Sequence, residues 1–305
     1  METNKFYYGD CMNLIKSVDD NSIDLILSDI PYGISVEDWD ILHNNTNSAL
    51  LGSSPAQKNA GKIFSKRGKP LNGWSEADKL IPKQYYNWVM SWVEDWYRVT
   101  KPGSSIFVFA GRRLAHRCIC AFEDIGFIYK DMIAWDKQNA AYRAQHVSKV
   151  FDRRNDEISS HKWREWKIGN LRPVFEPILW FMKPYKIGGT LTDNILEYGL
   201  GAFNESILQK YGQKTNNLFN IHSTEDDRGL HPTQKPLQLM KLLIELTTQK
   251  NQIVLDPFAG SATTLIAAQE LKRQFIGFEK HEEYYQKGLN RLNIFQNKPL
   301  QQSLV

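Results

Sequence analysis

Two strand-like runs that break into turn-rich loops stand at opposite ends of this 305-residue chain, and they constrain its fold more than any other feature. Ser22 to Ser28 is an apolar run of strand length that ends in Asp29-Ile30-Pro31-Tyr32-Gly33. Ile253-Val254-Leu255 is a buried-strand run that passes through Asp256 into Pro257-Phe258-Ala259-Gly260-Ser261-Ala262-Thr263-Thr264. Gly260 permits a tight turn, and Ser261 is a good N-cap for a helix from Ala262 to Leu271. Asp29 is expected at the carboxyl end of its strand, where open α/β sheets place their ligands.

The first loop resembles the D-P-P-Y catalytic loop of amino-group DNA methyltransferases. The second resembles the D-P-F-x-G-S-G-T-T loop with which they hold S-adenosylmethionine. Catalytic loop first and cofactor loop last is similar to the permuted order of the β group of that family. The resemblance implies an α/β, Rossmann-like methyltransferase fold with circularly permuted motif order. Its sheet is expected to be mixed, mostly parallel and seven-stranded, with helices on both faces.

The family's reaction has a physical requirement. The amino group of a nucleobase is a poor nucleophile, because its lone pair is delocalised into the ring. A carboxylate and a backbone carbonyl that accept its two hydrogens concentrate electron density on the nitrogen. The resemblance therefore assigns catalysis to Asp29, the carbonyl of Ile30, Pro31 and Tyr32, with Tyr32 stacked on a flipped base. No general base of high pKa is needed, since the proton can leave after the methyl arrives. Ile30 departs from the family's usual Pro, but it keeps the carbonyl, and Pro31 biases it towards extended backbone. Read alone, Asp-x-Pro is also an ordinary turn that ends a strand.

For the cofactor, backbone N–H groups at the helix start after Gly260 can face the carboxylate end of a methionine moiety. Ala262 stands where the family prefers Gly, and a helical φ is expected to tolerate it. The strand Gln274 to Phe278 ends in Glu279, placed to accept both ribose hydroxyls. In isolation Glu279 would read as a strand-end surface carboxylate. No G-x-G-x-x-G follows any strand, which disfavours an NAD site. His231-Pro232-Thr233-Gln234-Lys235-Pro236 precedes a helical run from Leu237 to Gln249. It is similar to the family's H-P-T-Q-K-P element, which helps close over the methionine end and brings in Thr233 and Lys235. Tyr8-Gly9-Asp10-Cys11 resembles the G-D-C segment, so Asp10 is expected near the cofactor's adenine, a place compatible with a plain helix N-cap. The cofactor set is thus Asp10, Thr233, Lys235, Asp256, Pro257, Phe258, Ala259, Gly260, Ser261, Thr263 and Glu279.

The catalytic core is read as 1–135, 173–186 and 230–295, interrupted at 37–80 by a polar insertion with Lys58, Lys62, Lys66, Arg67 and Lys69 in close succession. That insertion reads either as a loop that closes on DNA phosphate or as an insertion without a role. Tyr85 to Val99 is an aromatic amphipathic helix expected to pack on the sheet. Between Asp136 and Arg172 nine Lys or Arg oppose five Asp or Glu, in a chain whose net charge is only +4. Cations there alternate with aromatics, as phosphate neutralisation and contact with an opened strand require, a solvated helix face being the alternative. Arg143, Lys149, Arg153, Arg154, Lys162 and Arg164 join Lys66 and Arg67 as candidate DNA contacts. The segment 187–229 is rich in Gly, Asn and Thr and occupies the family's target-recognition slot.

Cys11, Cys118 and Cys120 form neither a disulfide framework nor a paired metal signature, so no metal is expected. No signal peptide and no apolar run near 18 residues is present, which predicts a soluble, cytoplasmic protein with no membrane partner. The chain is accordingly read as a site-specific enzyme that methylates adenine N6 in double-stranded DNA, in a bacterial or phage setting. Cytosine-N4 methylation, RNA methylation and a catalytically decayed DNA-binding protein are the alternatives. A cognate restriction enzyme and a homodimer are the further partners left open.

Overall fold

The structure is a computed structural model that describes residues 1–33, 76–137, 144–222, 224 and 234–296. Lys66, Arg67, Arg143 and Thr233 lie outside the described residues, as does most of the 37–80 insertion. In chain order the elements are β1 (Lys5–Tyr8), α1 (Cys11–Leu14), β2 (Ile23–Asp29), α2 (Glu76–Val99), β3 (Thr100–Phe109), α3 (Ala115–Ile125) and β4 (Ile128–Asp136). A small lobe follows with β5 (Gln145–His146), α4 (Ser148–Asp152), α5 (Glu157–Lys162) and β6 (Lys167–Ile168). Then come β7 (Phe175–Met182), α6 (Leu191–Tyr198), α7 (Glu205–Lys210) and β8 (Leu218–Phe219). The chain closes with α8 (Leu237–Thr247), β9 (Ile253–Asp256), α9 (Thr263–Glu270), β10 (Gln274–Glu279) and α10 (Glu282–Gln296).

The large sheet has the order β1-β10-β9-β2-β3-β7-β4-β8. Its pairings are parallel from β1 through β3, and β7 runs antiparallel to both β3 and β4. The family expectation of seven strands needs correction to eight. The extra strand is the two-residue β8, which adds to the edge of β4 with Phe219 opposite Trp135. Phe219 is buried there, and Trp135 Nε1 donates to the Ile221 carbonyl at 2.8 Å. Part of the 187–229 segment is therefore anchored to the core by apolar burial.

Period-two alternation sorts each central strand between two cores. Leu25, Leu27, Phe107 and Phe109 face one side, where α8 and α9 pack. Ile26, Ile106 and Val108 face the other, where α2 and α3 pack, and Ile23 joins them because the β2–β3 register shifts between Ile23 and Leu25. Helix α2 lays Tyr85, Val89, Trp92, Trp96 and Val99 on that face, spaced by alternating steps of four and three residues, and all are buried. Its aromatics are core residues, as their helical spacing indicated.

Candidate active site

Four parallel neighbours, β1, β10, β9 and β2, end on the same side of the sheet. Just beyond those ends lies an open cleft. Asp10 follows β1, Glu279 ends β10, Asp256 ends β9 and Asp29 ends β2, and all four line the cleft. Motifs more than two hundred residues apart in sequence thus converge because adjacent strands carry them.

On the β9 side, Asp256 is buried and shapes the loop. Its Oδ1 accepts from Ser28 Oγ at 2.6 Å and from the Phe258 N–H at 3.1 Å, and its Oδ2 accepts from Thr264 Oγ1 at 2.5 Å. Burial pushes its carboxyl up to about 6, against the lowering effect of these donors. Gly260 has φ +52°, and its N–H donates to Glu279 Oε2 at 2.9 Å, while the His281 N–H donates to Oε1 at 2.7 Å. Glu279 is thereby locked across the mouth of the turn, and burial raises its carboxyl above the usual range.

The helix start differs from the expectation. Helix α9 begins at Thr263, and its N-cap is Ala262 rather than Ser261. Ala262 adopts φ +65°, not a helical φ, so this alanine occupies the left-handed region that favours glycine. The bend lets α10 approach closely, because a Cβ on Gly288 would lie 3.0 Å from the Ala262 Cβ. Arg291 of α10 donates through Nη1 to the Ser261 carbonyl at 2.5 Å and reaches Thr263 Oγ1 at 3.1 Å. No signal in the sequence marked Gly288 or Arg291, since each acts only once α10 is placed. Pro257, Phe258, Ala259 and Ser261 line the cleft, and Phe258 also packs on Trp88, Trp92 and Trp96. Asp10 caps α1 by accepting from the Met12 N–H at 2.8 Å.

On the β2 side, Asp29 and Pro31 reach the cleft, whereas the Ile30 side chain turns into the core. Tyr32 directs its hydroxyl to Asp29 Oδ1 at 2.9 Å and to Glu176 Oε1 at 2.5 Å. Lys235 lies deeper towards the catalytic loop than a purely cofactor-facing role implies. Its Nζ is 2.5 Å from Asp29 Oδ2 and 3.2 Å from Glu176 Oε1. Burial raises the Asp29 carboxyl despite the Lys235 charge. Burial acts the same way on Glu176, but Lys235 and Lys137 outweigh it and hold that carboxyl at about 2. Glu176 was legible only as a charged residue inside the apolar run Phe175 to Phe181.

Two further side chains line the cleft with buried polar atoms that have no hydrogen-bond partner among the described residues, the amide of Gln234 and Nε2 of His281. Lys149, Arg153, Arg154, Lys162 and Arg164 are all exposed on the small lobe, in which no residue from 144 to 172 is buried. Among the described residues, no group of three His, Cys, Asp or Glu could hold a metal, and no helix is long and apolar enough to cross a membrane.

A model of the N6/N4 DNA methylase family matches residues 23–290, which span both loops of the cleft. The chain belongs to that family. The methylase is 55% identical over 296 residues to the Type II methyltransferase M.HindIII of Haemophilus influenzae, an alignment covering 95% of this chain and 96% of that one. Its fold is similar to that of the cytosine-N4-specific PvuII DNA methyltransferase, with a TM-score of 0.62 at 17% identity, covering 97% and 92% of the two chains. It is similar also to M1.HpyAVI, solved as a complex with S-adenosylmethionine, with a TM-score of 0.52 at 21% identity over 95% and 99% of the chains. The mixed, mostly parallel sheet flanked by helices is thus the fold of DNA methyltransferases.

Proposed function

We propose that this methylase transfers a methyl group from S-adenosylmethionine to N6 of an adenine flipped out of double-stranded DNA. The observation that carries the reading is the Asp29 carboxylate, held at the end of β2 and facing the cleft shared with the glycine turn. The residues present fit the cofactor. A Cβ on Gly260 would meet nothing within 4 Å, so the turn opens onto free space, and the orphaned polar atoms of Gln234 and His281 line the same cleft. Glu279 and Asp10 would hold the nucleoside end, and the turn from Gly260 to Thr263 the methionine end. The cofactor supplies an electrophilic methyl group on sulfur.

The chain's own task is positioning. Asp29 accepts one hydrogen of the target amine, the Ile30 carbonyl accepts the other, and both raise the electron density on its nitrogen. The exposed cations of the small lobe supply phosphate contacts. A carboxylate at the head of the loop, where cytosine enzymes favour serine, supports adenine. Cytosine N4 is the second reading, because either side chain can accept from an exocyclic amine. The 55% identity to a Type II methyltransferase supports a cognate restriction enzyme as partner. Asp29→Ala is the test: methyl transfer should vanish while cofactor binding stays nearly intact. Retention of more than about a tenth of the activity would remove Asp29 from its electrostatic role.

A further inference from the structure

Glu176 takes no part in the chemistry described so far, yet it is one of the best-connected charges in the molecule. It sits near the start of the antiparallel strand β7 and is 7% exposed. A buried carboxylate needs compensating partners, and Glu176 has three. Lys137 Nζ lies 2.5 Å from Oε2, the Tyr32 hydroxyl 2.5 Å from Oε1 and Lys235 Nζ 3.2 Å from Oε1. Two of these, Lys235 and Tyr32, are also the donors to Asp29. Tyr32 has a single hydroxyl proton, so it serves one carboxylate at a time, and its shorter contact is to Glu176. A carboxylate has roughly four acceptor positions, and every donor that settles fully on Asp29 removes one that a target amine needs.

We propose that Glu176 is a positioning residue, a second buried carboxylate that competes with Asp29 for the Lys235 ammonium and the Tyr32 hydroxyl and so keeps acceptor positions of Asp29 open to the target amine. The inference rests on the reading of Asp29 given under Proposed function. With Glu176 in place, Lys235 is shared between two anions and the Tyr32 proton is drawn to Glu176, the nearer carboxylate. Without it, both donors fall onto Asp29, one on each oxygen, and Asp29 becomes a tighter ion pair and a weaker acceptor for the amine. The charged or titratable groups that face this pair are Lys235, Tyr32, Lys137 from beyond β4, and Asp256 from β9.

The test is steady-state methyl transfer against pH for Glu176→Gln, Glu176→Asp, Lys235→Met and the double variant Glu176→Gln/Lys235→Met, with Asp29→Ala as reference. Glu176→Gln should lower kcat by about tenfold or more while the KM for S-adenosylmethionine stays within about threefold. Its acid limb should move to lower pH, because a negative neighbour that opposes ionisation of Asp29 has gone and Lys235 remains. Lys235→Met should move that limb the opposite way. At saturating cofactor the double variant should lose less than the product of the two single losses. A purely structural role for Glu176 would leave the acid limb of Glu176→Gln where it stands in the wild type. Wild-type kcat with an unshifted limb in Glu176→Gln overturns the proposal, as does a loss confined to KM. If Glu176→Gln does not fold, Glu176→Asp decides. It keeps the charge but withdraws it from Asp29, so a reduced kcat with unchanged KM and an acid limb moved to lower pH supports the proposal, and a wild-type kcat or an unmoved limb overturns it. An active Asp29→Ala enzyme would instead sink the underlying reading of Asp29.

Discussion

Ser28 Oγ donates to Asp256 Oδ1 at 2.6 Å, joining the ends of two adjacent strands across 228 positions of sequence. The bond fastens the loop that carries Asp29 to the loop that carries Gly260. Its acceptor is a buried carboxyl that also anchors Thr264 and the Phe258 N–H.

That arrangement makes stability depend on pH in a defined direction. The Asp256 carboxyl is raised by burial from 3.8 to about 6 in the folded protein. Between those values the folded state binds the extra proton, so this group's contribution is fully present below the unfolded pKa and is lost as pH rises through about 6. Asp256→Asn removes the titration. The thermal stability of the wild type relative to that variant should therefore grow as pH falls from 8 towards 5, by on the order of 1 kcal/mol per pH unit at the steepest point. A constant difference in Tm across that range would contradict it.

Cofactor affinity should respond to the glycine turn. Gly260 has φ +52° and open space where a side chain would begin, so Gly260→Trp both strains the turn and fills the cleft. Calorimetry should find no S-adenosylmethionine binding to that variant. Glu279→Ala should weaken binding by about 1–3 kcal/mol, through loss of a buried acceptor and release of the Gly260 N–H it holds. Unchanged affinity in both variants would exclude these residues from the cofactor site.

The frame of this site was legible because each half is local. A short apolar run followed by turn formers marks a strand end, and strand ends are where β2, β9 and β10 present Asp29, Asp256 and Glu279. The spacing of Tyr85, Val89, Trp92 and Trp96 announced a buried helix face in the same way. What stayed hidden depends on distant partners. Ala262 reads by propensity as an ordinary helix residue, and only the family's preference for Gly at this place hinted at the left-handed φ of +65° that it adopts. Glu176 is one acidic residue in an apolar strand, and its meaning appears only beside Lys235 and Tyr32. The strand β8 was invisible because two residues carry no period.

The small lobe between β4 and β7 should govern binding to all DNA sequences alike. Its cations are exposed, and Trp163 and Trp166 meet edge to face at 5.2 Å, with Lys162 over the Trp163 ring. Neutralising Arg153, Arg154, Lys162 and Arg164 together should flatten the logarithmic salt dependence of DNA affinity by about three to four units, roughly 0.9 for each phosphate left without its cation. Substitutions between Asn194 and Asn220 should instead alter which sites are methylated. An unchanged salt slope would return the lobe to a solvated surface.

Methylated DNA, digested and examined by nucleoside mass spectrometry, should contain N6-methyladenine and little or no N4-methylcytosine. The companion variant is Ile30→Pro. Because the Ile30 side chain is buried in the core on the α2 face, the variant should lose some stability, on the order of 1 kcal/mol. It should still turn over, since the proposed acceptor is the main-chain carbonyl. Methylcytosine as the main product would sink the base assignment. A folded but dead Ile30→Pro enzyme would show that this loop holds the amine by other means.

The sheet order carries a consequence for synthesis on the ribosome. Strand β2 is made more than two hundred residues before one of its two neighbours, β9, and β1 pairs only with β10. One side of β1 and β2 must therefore wait for β9 and β10 to be translated, and such long-range pairing slows closure. The cleft takes its walls from residues 9–12 and from residues as late as Tyr284. A nascent or truncated methylase that stops short of β9 has Asp29 but no cleft beside it, so methylation must wait until β9 and β10 have been made.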